Sequence, residues 1–329
     1  MSVLVCGGAG YIGSHAVHRL IEADEDVVIL DNLETGHKEA VHKDAKFYKG
    51  DVRDAEFLGK LFTAEKIDAV IHFAANSLVG ESMTNPLKYY NNNVHGMETL
   101  LSALVKFNID KIVFSSTAAV YGEPKNIPIV ETDETNPTNT YGETKLAMEK
   151  MMKWVEKAHN IRYVSLRYFN AAGAIESGAI GEDHNPETHL IPLILQTALK
   201  RRDAITVFGE DYDTKDGSCI RDYIHVLDLA DAHILALNHL RNGGKSEIMN
   251  LGNGKGFSVK EMIEAAKAVT GKEIPVKIGE RRAGDPAVLI ASSEKARKIL
   301  NWKPKFTDMG EIVKTAWTFH QTHPEGFSK

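Results

Sequence analysis

The chain has little with which to cross-link itself. Among 329 residues there are two cysteines, Cys6 and Cys219, far apart and outside any C-x-x-C pair or histidine cluster. A disulfide framework and a thiolate zinc site are therefore excluded, and both residues are expected as reduced thiols. Histidine is not scarce, but no H-E-x-x-H spacing occurs. His184 and His189 in "EDHNPETHL" read as side chains of a polar loop, so no metal is expected. Positive charge is not in excess either. With 39 Lys and Arg against 45 Asp and Glu the formal charge is -6. Nucleic acid is excluded as a partner, and any phosphate-bearing ligand has to be met by local groups. No apolar run approaches the ~20 residues that span a bilayer, which excludes a membrane-spanning role. The opening "MSVLVCGGAG" lacks the charged start of a signal peptide, which points to the cytoplasm. There is no internal repeat and no low-complexity stretch.

What is present is an ordinary globular composition, 43% hydrophobic and 26% charged. The length suits two domains, or one large α/β domain with an appended lobe. The first half alternates short β-branched runs with longer amphipathic segments, the pattern of βαβ units on a Rossmann-type doubly wound parallel sheet. Strands are expected at "VLVC" from Val3, "DVVIL" from Asp26, "KFYKG" from Lys46, "DAVIHFA" from Asp68, "KIVFSS" from Lys111 and "RYVSLRYF" from Arg162. Helices are expected over Ser14 to Ala23, Asp54 to Ala64, Pro86 to Phe107 and Tyr141 to Ala158. After Phe169 a Gly/Asn/Pro-rich stretch breaks the regularity. Residues 1–169 thus form a cofactor-binding domain and residues 170–329 a smaller α/β substrate lobe, some of whose elements pack back on the first. Its candidate elements are "LIPLILQTALK", "ITVFG", "LADAHILALNHL", "SVKEMIEAAKAV" and "DMGEIVKTAWTFHQ".

"VLVCGGAGYIG" places Gly7, Gly10 and Gly13, with Tyr11 and Ile12 between the last two, directly after a strand and at the opening of a helix. Glycine there permits a tight turn and close approach of backbone to a pyrophosphate, whose charge rests on the helix N-terminus. The second strand ends at Asp31, followed by Asn32. Asp31 lies 31 minus 13, or 18, residues past the last glycine. That is near the ~20 expected for a carboxylate on the adenosine ribose hydroxyls. It would repel a 2′-phosphate, so NAD is expected rather than NADP. Asp51 and Val52 follow the third strand, and Phe73, Ala74 and Ala75 the fourth, at strand ends where such sheets bind ligands. Asn92, in a polar "NNN" run, is a further cofactor candidate.

The fifth strand ends in three hydroxyls, Ser115, Ser116 and Thr117, and "TYGETKLAMEK" sets Tyr141 and Lys145 four residues apart on one helix face. Such pairs are usually helix decoration. Whether this one is chemical depends on what the rest of the chain gathers around it. The segments "GGAGYIGSH", "VIHFAA", "PLKYYNNNV", "YGETKLAME", "LRYFNAAGA", "VFGEDYDTKDGSCIRDYIHVLDLADAH" and "RRAGDPA" settle the point, because together they resemble the extended short-chain dehydrogenase/reductases, and among them the UDP-galactose 4-epimerases, nearly end to end. The resemblance implies a UDP-hexose substrate, a retained NAD, and Thr117, Tyr141 and Lys145 as the catalytic trio, with Tyr141, Lys145 and Phe169 also at the cofactor. It places nucleotide-sugar contacts on Asn170, Leu190, Thr206, Val207, Phe208, Arg221, Arg282 and Asp285. It also implies a homodimer through pairing of the two long helices.

The implied chemistry is oxidation at C4 to a flat ketone and reduction on the other face, because the carbon bears no acidic proton. Tyr141 would take the O4 proton. Its reference pKa of ~10 has to fall about three units, roughly 4 kcal/mol, to act near pH 7. A helix-surface lysine supplies only ~0.2–0.5 kcal/mol, so the charge of the oxidised cofactor has to help. Two positions depart from the family pattern. Ser77 stands where many members carry a lysine, and Leu289 stands where residue size gates a 2-acetamido group. Leucine is intermediate, which makes UDP-glucose and UDP-galactose the main pair and leaves N-acetylated sugars open. Sugar-nucleotide dehydratases need an Asp-Glu pair after the hydroxyl residue, and here Ala118-Ala119 stands there. Other UDP-sugar 4-epimerases, such as those of UDP-glucuronate, remain alternatives. A non-catalytic NAD sensor would be expected to lose the Tyr/Lys pair.

Overall fold

The computed structural model describes residues 1–281 and 286–327. The first six strands are β1 (Ser2–Cys6), β2 (Val27–Asp31), β3 (Lys46–Lys49), β4 (Ile67–His72), β5 (Lys111–Ser115) and β6 (Arg162–Arg167). The later strands are β7 (Asn170–Ala172), β8 (Ile205–Phe208), β9 (Ile220–Arg221), β10 (Tyr223–His225), β11 (Glu247–Asn250), β12 (Phe257–Ser258), β13 (Val276–Gly279) and β14 (Val288–Leu289). Helices begin with α1 (Tyr11–Glu22), α2 (Ala55–Ala64), α3 (Val79–Thr84), α4 (Pro86–Tyr89), α5 (Gly96–Phe107) and α6 (Thr140–His159). They continue with α7 (Leu190–Ala198), α8 (Val226–Arg241), α9 (Val259–Thr270), α10 (Glu294–Leu300) and α11 (Met309–Thr322).

Seven strands form one parallel sheet in the order β3-β2-β1-β4-β5-β6-β11. The strand order reverses at β1 and β4, so a crevice opens past their C-terminal ends, where the glycine turn lies. Continuous apolar runs such as Val3 to Cys6 and Val27 to Leu30 belong to strands covered on both faces. On one face Val17 and Leu20 of α1 pack with Leu229, Ala232 and Ala236 of α8. On the other, Leu58 and Leu61 of α2 meet Leu100 and Leu104 of α5 and Met148 and Met152 of α6. The seventh strand and α8 come from beyond Phe169, so the chain returns from the second lobe to finish the first sheet. The second lobe has its own core of Ile191, Leu195, Met262, Ile263, Val313 and Trp317. It carries the strand pairs β8–β13 and β7–β10 and the small sheet β12-β9-β14. No helix among the described residues is long and apolar enough to cross a membrane.

One expected helix is interrupted. Between α4 and α5 the backbone runs through a π-helical turn over Tyr90–His95. The extra residue per turn rolls Asn93 out of the solvent face and buries it. Its Oδ1 accepts from the Asn76 N–H at 2.8 Å, and its Nδ2 donates to Asn76 O at 3.1 Å and to the Thr144 hydroxyl at 3.0 Å. A single amide thereby ties the β4 exit loop to α6.

Candidate active site

The glycine turn is built for backbone approach. Gly7 holds φ +82°, and a Cβ there would stand 2.6 Å from Ala74 N; one on Gly13 would stand 2.0 Å from the Gly7 carbonyl oxygen. No side chain fits in either place, and the first turn of α1 is left uncapped by any side chain, its N-cap being Gly10. Gly10 N donates back to Gly7 O at 3.2 Å, and the N–H groups of Tyr11, Ile12 and Gly13 together with the helix dipole are left for a ligand, a fit for a pyrophosphate. Asp31 is buried beside this turn. Its Oδ2 accepts from Ala9 N at 2.9 Å and its Oδ1 from Leu33 N at 2.8 Å. Burial raises its pKa, and those two N–H donors pull against the rise. The carboxylate thus braces the glycine turn as well as ending the strand.

The remaining cofactor candidates have differing partners. The Tyr11 hydroxyl donates to Gly173 O at 2.6 Å, which commits its tip to the protein, and Ile12 packs against the sheet core. Asn32 donates to Asp51 at 3.2 Å, and Arg53 holds Asp51 in a fork at 2.9 and 2.6 Å, keeping that carboxyl down at about 2. Val52 is buried, Phe73 and Ala74 both donate their N–H groups to Cys6 O, and Ala75 is half-buried. Among the described residues Asn92 donates to its neighbour Asn93 at 3.1 Å; the buried, cross-linking amide is Asn93. Cys6 and Cys219 are both buried and not joined to each other, and burial pushes the Cys6 thiol up.

Thr117, Tyr141 and Lys145 come together where β5 ends. Thr117 leads a short 3-10 turn, its Oγ1 accepting from Ala119 N at 3.1 Å. Asn139 caps α6 by accepting from Gly142 N at 2.8 Å, and the Ser82 hydroxyl accepts from Tyr141 N at 3.1 Å, so α3 and the cap together aim the tyrosine. The Tyr141 hydroxyl bonds Thr117. Burial drives its pKa up to about 12 against the pull of that bond. Lys145, 2% exposed, donates from Nζ to Ser115 O at 2.7 Å and lies 5.9 Å from the Tyr141 ring centre. Burial lowers its pKa to about 7, with Glu149 acting in the opposite sense. At an effective dielectric of about 20, a unit charge at such a distance is worth roughly 3 kcal/mol, about two pKa units. The lysine alone does not make Tyr141 a base.

Beneath the trio lies a polar network that the sequence reading did not single out. Glu149 accepts from Ser116 Oγ at 2.6 Å and from Arg167 at 2.9 and 2.5 Å. Arg167 also donates to Tyr121 Oη at 2.8 Å, which donates in turn to Asn250 at 2.7 Å. The available clue was that Glu149 repeats the four-residue spacing of Tyr141 and Lys145 along α6.

Apart from Thr117, the substrate candidates come from the second lobe, and the cofactor candidate Phe169 lies beside one of them, Leu289. Phe169 and Leu289 both pack on the cluster of Ala118, Val120 and Leu146 that adjoins Thr117. Leu289 stands in register with Arg221 across β14 and β9, and Asn170 donates its N–H to Asp222 O at 3.3 Å. Arg221 donates to Ile220 O at 2.7 Å. Asp222, also unforeseen, is buried and accepts from Asn253 N at 2.8 Å and Ala291 N at 3.2 Å, its pKa raised by burial to about 6. Leu190 opens α7, while Thr206, Val207 and Phe208 lie on the separate β8–β13 pair, with Phe208 exposed on one side. Arg282 and Asp285 lie outside the described residues.

Residues 3–252 match the NAD dependent epimerase/dehydratase family. A UDP-glucose 4-epimerase of Lacticaseibacillus casei is 60% identical over 99% of both chains. A crystal structure of a UDP-glucose 4-epimerase superposes with a TM-score of 0.99 at 58% identity over 100% of each chain. The Brucella ovis UDP-glucose 4-epimerase, solved in complex with NAD, gives 0.94 at 46% identity, covering 96% of this chain and 97% of that one.

Proposed function

The chain belongs to the NAD dependent epimerase/dehydratase family, and we propose that it interconverts UDP-galactose and UDP-glucose by inverting C4 through a transient 4-ketone. The observation that carries this reading is the Tyr141 hydroxyl on Thr117, with Lys145 behind its ring, at the strand end facing the glycine turn. Bound NAD supplies a reversible two-electron acceptor for C4 and a positive charge beside the phenol. The glycine turn, the α1 N-terminus and Asp31 would hold its diphosphate and adenosine ribose, and Lys145 its other ribose. Tyr141 takes the O4 proton as the alcohol is oxidised and returns it on reduction. Thr117 shares that proton and orients O4. Desolvation holds the phenol's pKa at about 12, and only concentrated positive charge lowers it from there.

Inversion requires the hexose to turn over while the nucleotide stays clamped. The firm contacts therefore belong on UDP, from Asn170, Leu190, Thr206 to Phe208 and Arg221, with Arg282 and Asp285 completing the set. Incubation with UDP-galactose, UDP-GalNAc and UDP-galacturonate in separate reactions, with the products resolved, tests the reading; no C4 epimer from any of the three would sink it.

Leu289 sets the substrate range. It is half-buried on the Ala118 cluster beside Thr117, and a tyrosine there would add a ring's bulk. Leu289→Tyr should lower kcat/KM for UDP-GalNAc by about 10- to 200-fold, the range of steric discrimination in one pocket, and leave UDP-galactose within a few-fold. Equal losses on both sugars would remove Leu289 from the gate.

The protein acts as a cytoplasmic homodimer. Met83, Leu87 and Trp154 are exposed by 58%, 79% and 68% on α3, α4 and α6, next to the long helices that would pair. Light scattering on an eluting peak should give twice the 36.3 kDa chain mass; a monomer at micromolar concentration would contradict it.

A further inference from the structure

The loop between β7 and α7 gathers four side chains that the reaction does not use. Glu182, His184, Glu187 and His189 each offer one ligand atom, and those atoms lie within 4.8 Å of one another. The sequence reading took the two histidines for polar-loop decoration. The loop assignment holds, but their rings turn inward onto two carboxylates. His189 Nδ1 stands 2.9 Å from Glu182 and 3.0 Å from Glu187, and His184 Nδ1 stands 3.4 and 3.6 Å from the same pair.

We propose that Glu182, His184, Glu187 and His189 form a four-coordinate site for a divalent cation of the zinc class. Three observations support it. Metal–ligand bonds of about 2.0–2.2 Å in a tetrahedron put neighbouring donor atoms roughly 3.3 Å apart; the His–Glu separations of 2.9 to 3.6 Å, which meet Glu187 at Oε1 from His189 and at Oε2 from His184, lie around that distance. Two imidazoles and two carboxylates suit zinc in hardness, and the two negative charges balance a divalent ion. His184 Nδ1 is fully buried yet finds no hydrogen-bond partner. It stands 3.4 Å from Glu182 and 3.6 Å from Glu187, within ion-pair reach of both carboxylates.

The surroundings hold the ligands in place. Glu187 Oε1 also accepts from the Thr188 and His189 N–H groups, both at 2.8 Å, which fixes its carboxylate. The His184 ring lies edge-on to Tyr11 at 6.3 Å. His189 is the N-cap residue of α7. With four protein ligands there is no open position for a reacting group, so the ion is structural. It pins the α7 start, including Leu190, against the first turn of α1. This places it beside Tyr11 of the glycine turn and next to Leu190 of the nucleotide-sugar contacts.

The test uses untagged full-length protein stripped with a chelator and reloaded with Zn2+ alone, then freed of excess by gel filtration. About one zinc per chain should remain by mass spectrometry of the metal. The thermal midpoint should rise by several degrees on loading. Reloading with Co2+ should give the intense visible absorption of a four-coordinate ion, which reads the site in the unaltered chain. The His184→Ala/Glu187→Gln double variant should lose the metal and the thermal response while keeping some epimerase turnover. Should that variant not fold, the Co2+ spectrum still decides. Less than about a tenth of an equivalent of zinc on the wild-type chain, with an unchanged midpoint, would overturn the proposal; the cluster would then be two imidazoles held by protons between two carboxylates.

Discussion

Replacing Tyr141 by phenylalanine is expected to cut kcat by about 10²- to 10⁴-fold, the usual span for a lost proton-transfer group, with NAD still bound and the fold intact. The phenyl ring keeps the apolar volume in the buried site, and the backbone contacts that aim it are unaffected: Asn139 still caps the helix, and the Tyr141 N–H still reaches Ser82. What disappears is one oxygen. Thr117 is then left to take the O4 proton without a phenol and without positive charge at its own oxygen. The loss should appear in kcat more than in KM, since the nucleotide is held from the other lobe. Bound NAD is measured by its absorbance after the protein is denatured. Near-normal turnover with bound NAD would take Tyr141 out of the base role.

Truncating Glu149 to alanine should destabilise the protein by about 3–5 kcal/mol, the cost of stranding one partner of a buried ion pair. Glu149 and Arg167 are both about 3% exposed, and Arg167 would keep only Tyr121 Oη as a side-chain acceptor. Ser116 would lose its acceptor as well. The effect reaches function because Glu149 is the group that raises the Lys145 pKa against burial. Without it a smaller fraction of Lys145 is charged at neutral pH, and Tyr141 loses part of the field it needs. Denaturant titration reads the stability change, and Glu149→Gln, which keeps an acceptor while removing the charge, should fall between the two. A change under about 1 kcal/mol for the alanine variant would show that the pair contributes little to the fold.

The glycine turn, Asp31 and the Tyr141/Lys145 spacing were legible because each is local: a turn, a strand end and one helix face. The doubly wound sheet was legible for the same reason, its strands reading as continuous apolar runs. What escaped was long-range. Asn93 looks like its neighbours in "NNN" until a π turn buries it, and helical periodicity does not announce an extra residue. Arg167 sits at the end of β6 and meets Glu149 on α6, 18 residues earlier, a pairing set by how the helix folds back on its strand. Asp222 is fixed by backbone N–H groups from Asn253 and Ala291, which no spacing rule connects to it. The seventh strand arrives from residues 247–250, after the chain has visited the second lobe. In each case the partner is chosen by tertiary packing, which local spacing does not specify.

The central claim is that Tyr141, Lys145 and Thr117 work over a held cofactor to invert C4. It is tested most directly by giving the purified protein UDP-galactose deuterated at C4, with no nucleotide added. The account predicts UDP-glucose that has kept its deuterium at C4, formed by the wild-type chain and not at a comparable rate by Tyr141→Phe. Absence of UDP-glucose, or UDP-glucose whose deuterium has been exchanged for solvent hydrogen, would contradict it.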